Sequence, residues 1–160
     1  MESHNREHEA VQQTGCFLTR EAERLAAIVR DRRGRILIVE DEEQVRKPMR
    51  LNLTKAGYDV VEVGNGTDAI KFLKTEDNAG AVDTLLCDLR MPGVTGIETI
   101  RYVRTHYPWI PIVVLTGYPD EDLAASLLNL GVLDYLIKPI TREELLTVIA
   151  RRVRQSQAIR

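Results

Sequence analysis

Cysteine is scarce in this chain: Cys16 and Cys87 are the only two, far apart, with no CxxC pair and no Cys/His ligand spacing around them. That excludes a disulfide framework and a cysteine-based zinc site, and it suits a reducing cytosol. Long apolar runs are missing as well. The opening residues, MESHNREHEAVQQTG, are polar and mixed in charge, unlike a secretory signal, and no later segment approaches the roughly 18 apolar residues of a membrane span. A soluble, cytoplasmic protein without membrane contact is expected. Nor does one charge dominate: 22 basic residues stand against 24 acidic ones, for a formal net charge of -2, so charge lends no support to direct DNA binding. His4, His8 and His106 fall into no partner pattern, and none is assigned a function.

What is present is the composition of an ordinary globular domain, 44% hydrophobic and 29% charged, in a length that fits one domain with an appendage. After about thirty polar and helix-prone residues, short β-branched apolar segments alternate with amphipathic stretches to the end of the chain. This is the βαβ signature. Arg35 to Val39 (RILIV) has no period-two alternation, as expected of a strand buried on both faces of a parallel sheet, and it stops in the acidic run EDEE. Glu42 to Ala56 then reads as a helix, with Val45, Met49 and Leu53 at helical spacing and Gly57 ending it. Pro48 lies inside it and is expected either to kink the helix or to mark its true first turn.

Tyr58 to Val63 reads as the second strand, followed by a helix after Asn65-Gly66 with Thr67 or Asp68 as candidate cap. Val82 to Cys87 is the third strand and leads into Asp88 and the loop RMPGVTG; Ile97 to Tyr107 is helical. Pro111 to Leu115 (PIVVL), Glu121 to Leu130, Leu133 to Ile137 and Arg142 to Val153 complete five strands and five helices. Trp109, between Pro108 and Pro111, is expected to pack over the helix-to-strand turn, and Cys87 to be core. Right-handed crossovers give such a chain an open, doubly wound sheet whose ligands bind beyond the carboxyl ends of the strands.

Four of the five strands end in chemically able residues: Glu40 and Asp41, then Asp88, then Thr116, then Lys138. Carboxylates gathered without a cation repel one another and raise their own pKa values, so a divalent cation held by oxygens is the less costly arrangement. Magnesium is the natural candidate, with ligands from Glu40, Asp41 and Asp88 and from a substrate phosphate. Asp88 is then placed to attack phosphorus and form an acyl phosphate, with Lys138 and Thr116 stabilising the equatorial oxygens. Taken singly, each has a plainer explanation: an aspartate caps a turn, a lysine is solvated, a threonine ends a strand. The ordered set outweighs those readings.

These segments also resemble, in order, the receiver domain of response regulators, the CheY-like family, over Gly34 to Arg154. In ILIVEDE, Glu40 and Asp41 look like the family's acidic metal pair. In LLCDLRMPGVTG, Asp88 looks like the phosphoacceptor ahead of Met91-Pro92-Gly93. VVLTG places Thr116 as the switch hydroxyl, and DYLIKP places Lys138 before a Pro139 expected to be cis, with Tyr135 as the aromatic that changes rotamer. The resemblance further implies that the Arg90 carbonyl joins the Mg2+ ligands.

It implies a flavodoxin-like (βα)5 fold with a five-stranded parallel sheet of order 2-1-3-4-5, and a receiver domain over 34–157 behind a partly helical extension over 1–33. The implied partners are a sensor histidine kinase or a histidine phosphotransfer protein, and a downstream protein bound around the last strand and its flanking helices. The chain departs from the family pattern at Glu40, where aspartate is common, at Arg90, and at the bulky Tyr118.

In the extension, Leu18, Ala22, Leu25 and Val29 recur at a and d spacing, as a linker helix or as a seam for a homodimer or docking partner. Two other classes remain to be weighed. A phosphatase or small phosphotransferase enzyme would need a second aspartate where Arg90 stands. An interaction module never phosphorylated would be expected to lack Asp41, Asp88 or Lys138, and all three are present. Not an enzyme but a stand-alone receiver is the reading preferred, ahead of a fragment of a larger regulator or hybrid kinase.

Overall fold

The structure is a computed structural model that describes residues 22, 33–132 and 134–159. The expectations for the extension over 1–33, with His4, His8, Cys16 and the helix from Leu18, fall outside the described residues save for Ala22 and Arg33; so does Leu133.

Five strands form one parallel sheet in the order β2-β1-β3-β4-β5: β1 (Arg35–Val39), β2 (Asp59–Val63), β3 (Thr84–Asp88), β4 (Ile112–Thr116) and β5 (Asp134–Ile137). The flavodoxin-like order expected is the order found. Successive residues of the central strands serve opposite faces, and both faces are apolar. Leu37, Val39, Leu85, Cys87, Ile112 and Val114 build one core with Ala69, Leu73, Ile100, Val103 and Leu127. Ile36, Ile38, Leu86, Val113, Leu115 and Leu136 build the other with Met49, Leu53, Leu145, Ile149 and Val153. Two-sided burial is why RILIV and PIVVL read as unbroken apolar runs. Each such side chain contributes about 1.5–3 kcal/mol relative to exposure.

Helices α1 (Glu43–Lys55) and α6 (Arg142–Ile159) supply the second core, and α2 (Gly66–Lys74), α4 (Gly96–His106) and α5 (Glu121–Asn129) the first. A short helix not anticipated, α3 (Asn78–Ala81), precedes β3; four residues are too few to show a helical period. The cap of α2 is neither Thr67 nor Asp68 but Asn65, whose side chain accepts from the Asp68 backbone N–H at 2.8 Å. Pro48 is the sixth residue of a helix that runs on through it, so it marks no first turn. α6 continues past Val153 to Ile159 because no breaker follows and Ser156 is still buried.

Cys87 is buried, as expected, and burial pushes its thiol well above the usual range, so it stays protonated. Trp109 packs edge-on against Tyr107 at 5.7 Å while remaining half-exposed. Among the described residues no helix is long and apolar enough to cross a membrane.

Candidate functional site

Parallel register sets the site. Val39 pairs with both Val63 and Cys87, Asp88 with Leu115, and Thr116 with Ile137, so the residues that end or follow these strands reach one rim of the sheet together. Glu40 follows β1, Asp88 closes β3, Thr116 closes β4 and Lys138 follows β5, where its backbone N–H donates to the Thr116 carbonyl at 2.8 Å. The Lys138-Pro139 peptide is cis.

The loop after β3 is shaped by its contacts with α4. Gly93 adopts a φ of +77°, a region that glycine enters without a side-chain clash. Thr95 caps α4 through a capping box with Glu98. Gly96 rests directly on the Asp88 backbone: a Cβ there would lie 2.0 Å from the Asp88 carbonyl oxygen and 2.5 Å from Leu89 Cα.

The charges at this rim are buried and outnumber their cation. Glu40 is wholly buried and Asp88 is 3% exposed. Lys138 Nζ bridges them, 2.7 Å from Glu40 Oε2 and 3.4 Å from Asp88 Oδ1. Glu40 Oε1 also accepts from the Glu42 N–H at 3.1 Å, and Asp88 Oδ1 from the Arg90 N–H at 3.4 Å.

Burial nonetheless holds both carboxyls above their ordinary values; Lys138 and the backbone donors pull them down, while Asp88 acting on Glu40, and Asp41 acting on Asp88, push them up. Burial pulls Lys138 down, but its hydrogen bond to Glu40 and the charges of Glu40 and Asp88 outweigh that and raise it, so the lysine stays charged. One ammonium does not neutralise this group.

Asp41 Oδ1 is buried without a hydrogen-bond partner among the described residues. Carboxylate oxygens of Glu40, Asp41 and Glu42 come within 4.8 Å of one another. An orphaned carboxylate oxygen in a cluster of hard oxygen donors is the donor set that Mg2+ takes. Glu42 was not singled out from sequence, although it stands in the EDEE run. Arg46 gave no signal at all: from α1, its Nη1 donates to the Glu40 carbonyl at 2.7 Å, and its Nε lies 3.8 Å from Glu62 on β2, which also meets Arg50 at 3.2 Å. It ties the backbone of the acidic loop to the edge strand.

Thr116 is buried and its Oγ1 accepts from the Tyr118 N–H at 3.2 Å. Tyr135, on β5, is 45% exposed. The Arg90 guanidinium lies over the Tyr118 ring, 4.7 Å from its centroid.

Comparison with known proteins gives this geometry its context. The sequence model of the response regulator receiver domain matches residues 36–150. The DNA-binding transcriptional regulator NtrC of Escherichia coli K12 is 29% identical over 125 residues, 78% of this chain and 26% of NtrC. The transcriptional regulatory protein ZraR of Klebsiella oxytoca is 36% identical over 110 residues, 69% of this chain and 24% of ZraR. The chain thus spans about a quarter of the length of these relatives. Among solved structures, the chemotaxis protein CheY4 of Vibrio cholerae superposes with a TM-score of 0.66 at 29% identity, covering 74% of this chain and 97% of CheY4. With the matched region running from β1 into α6 and the sheet order found in such structures, the chain belongs to the response regulator receiver domain family of two-component signalling.

Proposed function

We propose that Asp88 accepts a phosphoryl group from a phosphohistidine of a sensor histidine kinase or histidine phosphotransfer protein, in a reaction that requires Mg2+. The observation that carries this reading is the shared lysine: Lys138 Nζ touches both Glu40 and Asp88 while Asp41 Oδ1 is left buried and unpartnered. Glu40, Asp41, Asp88 and the Arg90 carbonyl would hold the cation; Glu42 clusters with Glu40 and Asp41. Bound there, Mg2+ supplies the positive charge that the carboxylates lack and polarises the phosphoryl oxygens.

The chain's own residues do the rest. Lys138 and the Arg90 N–H engage Asp88 Oδ1, so Oδ2 is the attacking atom. Its bond to phosphorus forms as the phosphorus–nitrogen bond to the donor imidazole breaks, with the electron pair leaving on the ring nitrogen. Lys138 and the Thr116 hydroxyl meet the equatorial oxygens, and their placement before reaction is what lowers the barrier.

The acyl phosphate then biases a two-state equilibrium. Thr116 gives up the Tyr118 N–H for a phosphoryl oxygen, and Tyr135 moves inward from its exposed position. The surface so altered, β5 with α5 and α6, binds a downstream protein or a second copy of the chain. Exposed Leu128, Tyr135 and Ile137 support that assignment. The receiver occupies 34–157, with 1–33 as a linker or docking element; no direct DNA binding is ascribed to it, and its role is that of acceptor, not of an enzyme with its own substrate.

Intact mass after incubation with acetyl phosphate tests this. One phosphate adduct is expected on the parent with magnesium, and none without magnesium or in Asp88→Asn. A parent that folds and gains no adduct, even when sampled faster than hydrolysis, sinks the reading.

A further inference from the structure

At the amino-terminal ends of β4 and β5, away from Asp88, a guanidinium stands without a counter-charge. Arg104 on α4 and Arg152 on α6 line one cavity of about 90 Å3, together with Trp109, Gly131, Gln155 and Ile159. Arg152 is matched: its Nε donates to Asp134 at 2.5 Å and its Nη1 to Gln155 Oε1 at 2.6 Å. Asp134 also takes Arg151 at 3.2 Å, so it has no charge to spare. Arg104 makes no ion pair among the described residues. Its Nη1 donates to the carbonyls of Pro108 at 3.3 Å and Ile110 at 3.4 Å, its Nη2 to that of Gly131 at 3.0 Å, and its Nε is buried with no acceptor.

The three carbonyls fix the orientation of the guanidinium but cannot neutralise it. Burial, and after it the charge of Arg152, hold Arg104 below its ordinary pKa, yet an arginine keeps its proton in a protein. The cavity therefore carries one uncompensated positive charge in a half-buried place, where an unpaired charge is costly.

We propose that this cavity binds a small organic acid, as a carboxylate with a short apolar body. A planar carboxylate matches the planar fork of a guanidinium, and one negative charge matches the one left over. A phosphate dianion would set its second charge against the carbonyls of Pro108, Ile110 and Gly131. The Gln155 amide, whose oxygen already serves Arg152, keeps its nitrogen as a further donor. The volume equals about three water molecules at about 30 Å3 each, which is room for a carboxylate and little more. The apolar body then lies against Trp109 and Ile159, which are 40% and 64% exposed. No proton moves on binding, since acid and guanidinium are both ionised at neutral pH. The site uses no residue of the phosphoryl-transfer rim and stands or falls apart from the acceptor role of Asp88.

Trp109 is the only tryptophan in the chain, so its fluorescence reports on the cavity. Titration of the full chain with isovalerate should give a saturable change. Isovaleramide, the same shape without the charge, should bind more weakly by about tenfold or more. Arg104→Gln should weaken isovalerate binding by a similar factor. So should Ile159→Glu, which places a fixed negative charge in the cavity wall at an exposed position that the fold does not depend on. A rise in melting temperature with isovalerate, lost in Ile159→Glu, gives the same answer without the tryptophan. If Arg104→Gln does not fold, Ile159→Glu decides. Equal responses to acid and amide would reduce the cavity to an apolar crevice, and tighter binding of inorganic phosphate than of isovalerate would overturn the choice of a carboxylate. Absence of any saturable response, or an Ile159→Glu variant that binds isovalerate as the parent does, would overturn the site itself.

Discussion

The two rims of the sheet handle charge in opposite ways. At the amino-terminal ends of the strands, carboxylates are met locally. Asp59 takes Arg35 Nε at 2.7 Å, Asp83 takes the Arg35 N–H at 2.8 Å, and Asp134 takes Arg152 at 2.5 Å and Arg151 at 3.2 Å. At the carboxyl-terminal ends, Glu40 and Asp88 share one lysine with Asp41 beside Glu40, and burial raises the pKa values of Glu40 and Asp88. The first rim is arranged as structure usually is, each carboxylate ion-paired or hydrogen-bonded where it stands. The second is short of positive charge, which is what a site awaiting a cation and a phosphoryl group requires.

The sharpest way to break this contrast is to remove the lysine that joins Glu40 to Asp88. Lys138→Met keeps the length of the side chain but leaves Glu40 and Asp88 with backbone donors alone and no ammonium, at 0% and 4% side-chain exposure. Breaking a buried pair from one side costs about 3–5 kcal/mol, and the lower end applies here because the stranded carboxyls take up protons instead of staying charged. Urea denaturation without magnesium should therefore show a loss of about 3 kcal/mol at neutral pH, shrinking as the pH falls. A loss under about 1 kcal/mol would mean that solvent reaches the pair and that the rim is not starved of charge.

A second change acts on shape instead of charge. Gly96→Ala puts a methyl group 2.0 Å from the Asp88 carbonyl oxygen, and because the neighbour is backbone it cannot rotate aside. Overpacking of this kind costs about 2 kcal/mol and should displace the end of β3 that carries Asp88, lowering the phosphorylation rate more than tenfold. Gly131→Ala is the control, since there a Cβ meets only the Arg104 side chain at 3.7 Å; its positive φ costs stability and should leave phosphorylation intact. Equal losses of rate in the two variants would show that the tight packing under Asp88 has no special part in the transfer.

What the sequence makes legible follows from these same physics. RILIV and PIVVL are buried on both faces and so read as strands without any alternation, and the residues just past them reach the rim by geometry alone. The positions of Glu40, Asp41, Asp88, Thr116 and Lys138 at strand ends are therefore legible in the sequence. What stayed hidden depends on contacts across the fold. Arg46 reaches the Glu40 carbonyl from one turn into α1, Gly96 meets Asp88 only after the loop has closed, and Arg90 touches Tyr118 between loops of different strands. The α2 cap is hard to read for a local reason: Asn65-Gly66 reads as a turn, and the same asparagine also serves as the cap. α3 shows no period because it is a single turn.

The smallest effects discriminate best, because their signs differ. Asp88→Asn removes one of three crowded carboxylates while keeping an oxygen for the Arg90 N–H; Asp134→Asn removes the partner of Arg151 and Arg152. The folded state holds the Asp88 carboxyl above its unfolded value, so its contribution is greatest at acid pH and is lost as the pH rises through the raised pKa. At neutral pH without magnesium, Asp88→Asn should therefore be more stable than the parent by about 1 kcal/mol, and the parent should close that gap as the pH is lowered. Asp134→Asn should be less stable by under about 1 kcal/mol, as for a partly exposed pair, with phosphorylation at the parental rate. Thermal denaturation of both variants across acid and neutral pH measures this. If both move stability in the same direction, the two rims do not differ in charge balance, and the crowding of Glu40, Asp41 and Asp88 is no more than an ordinary cluster of satisfied carboxylates.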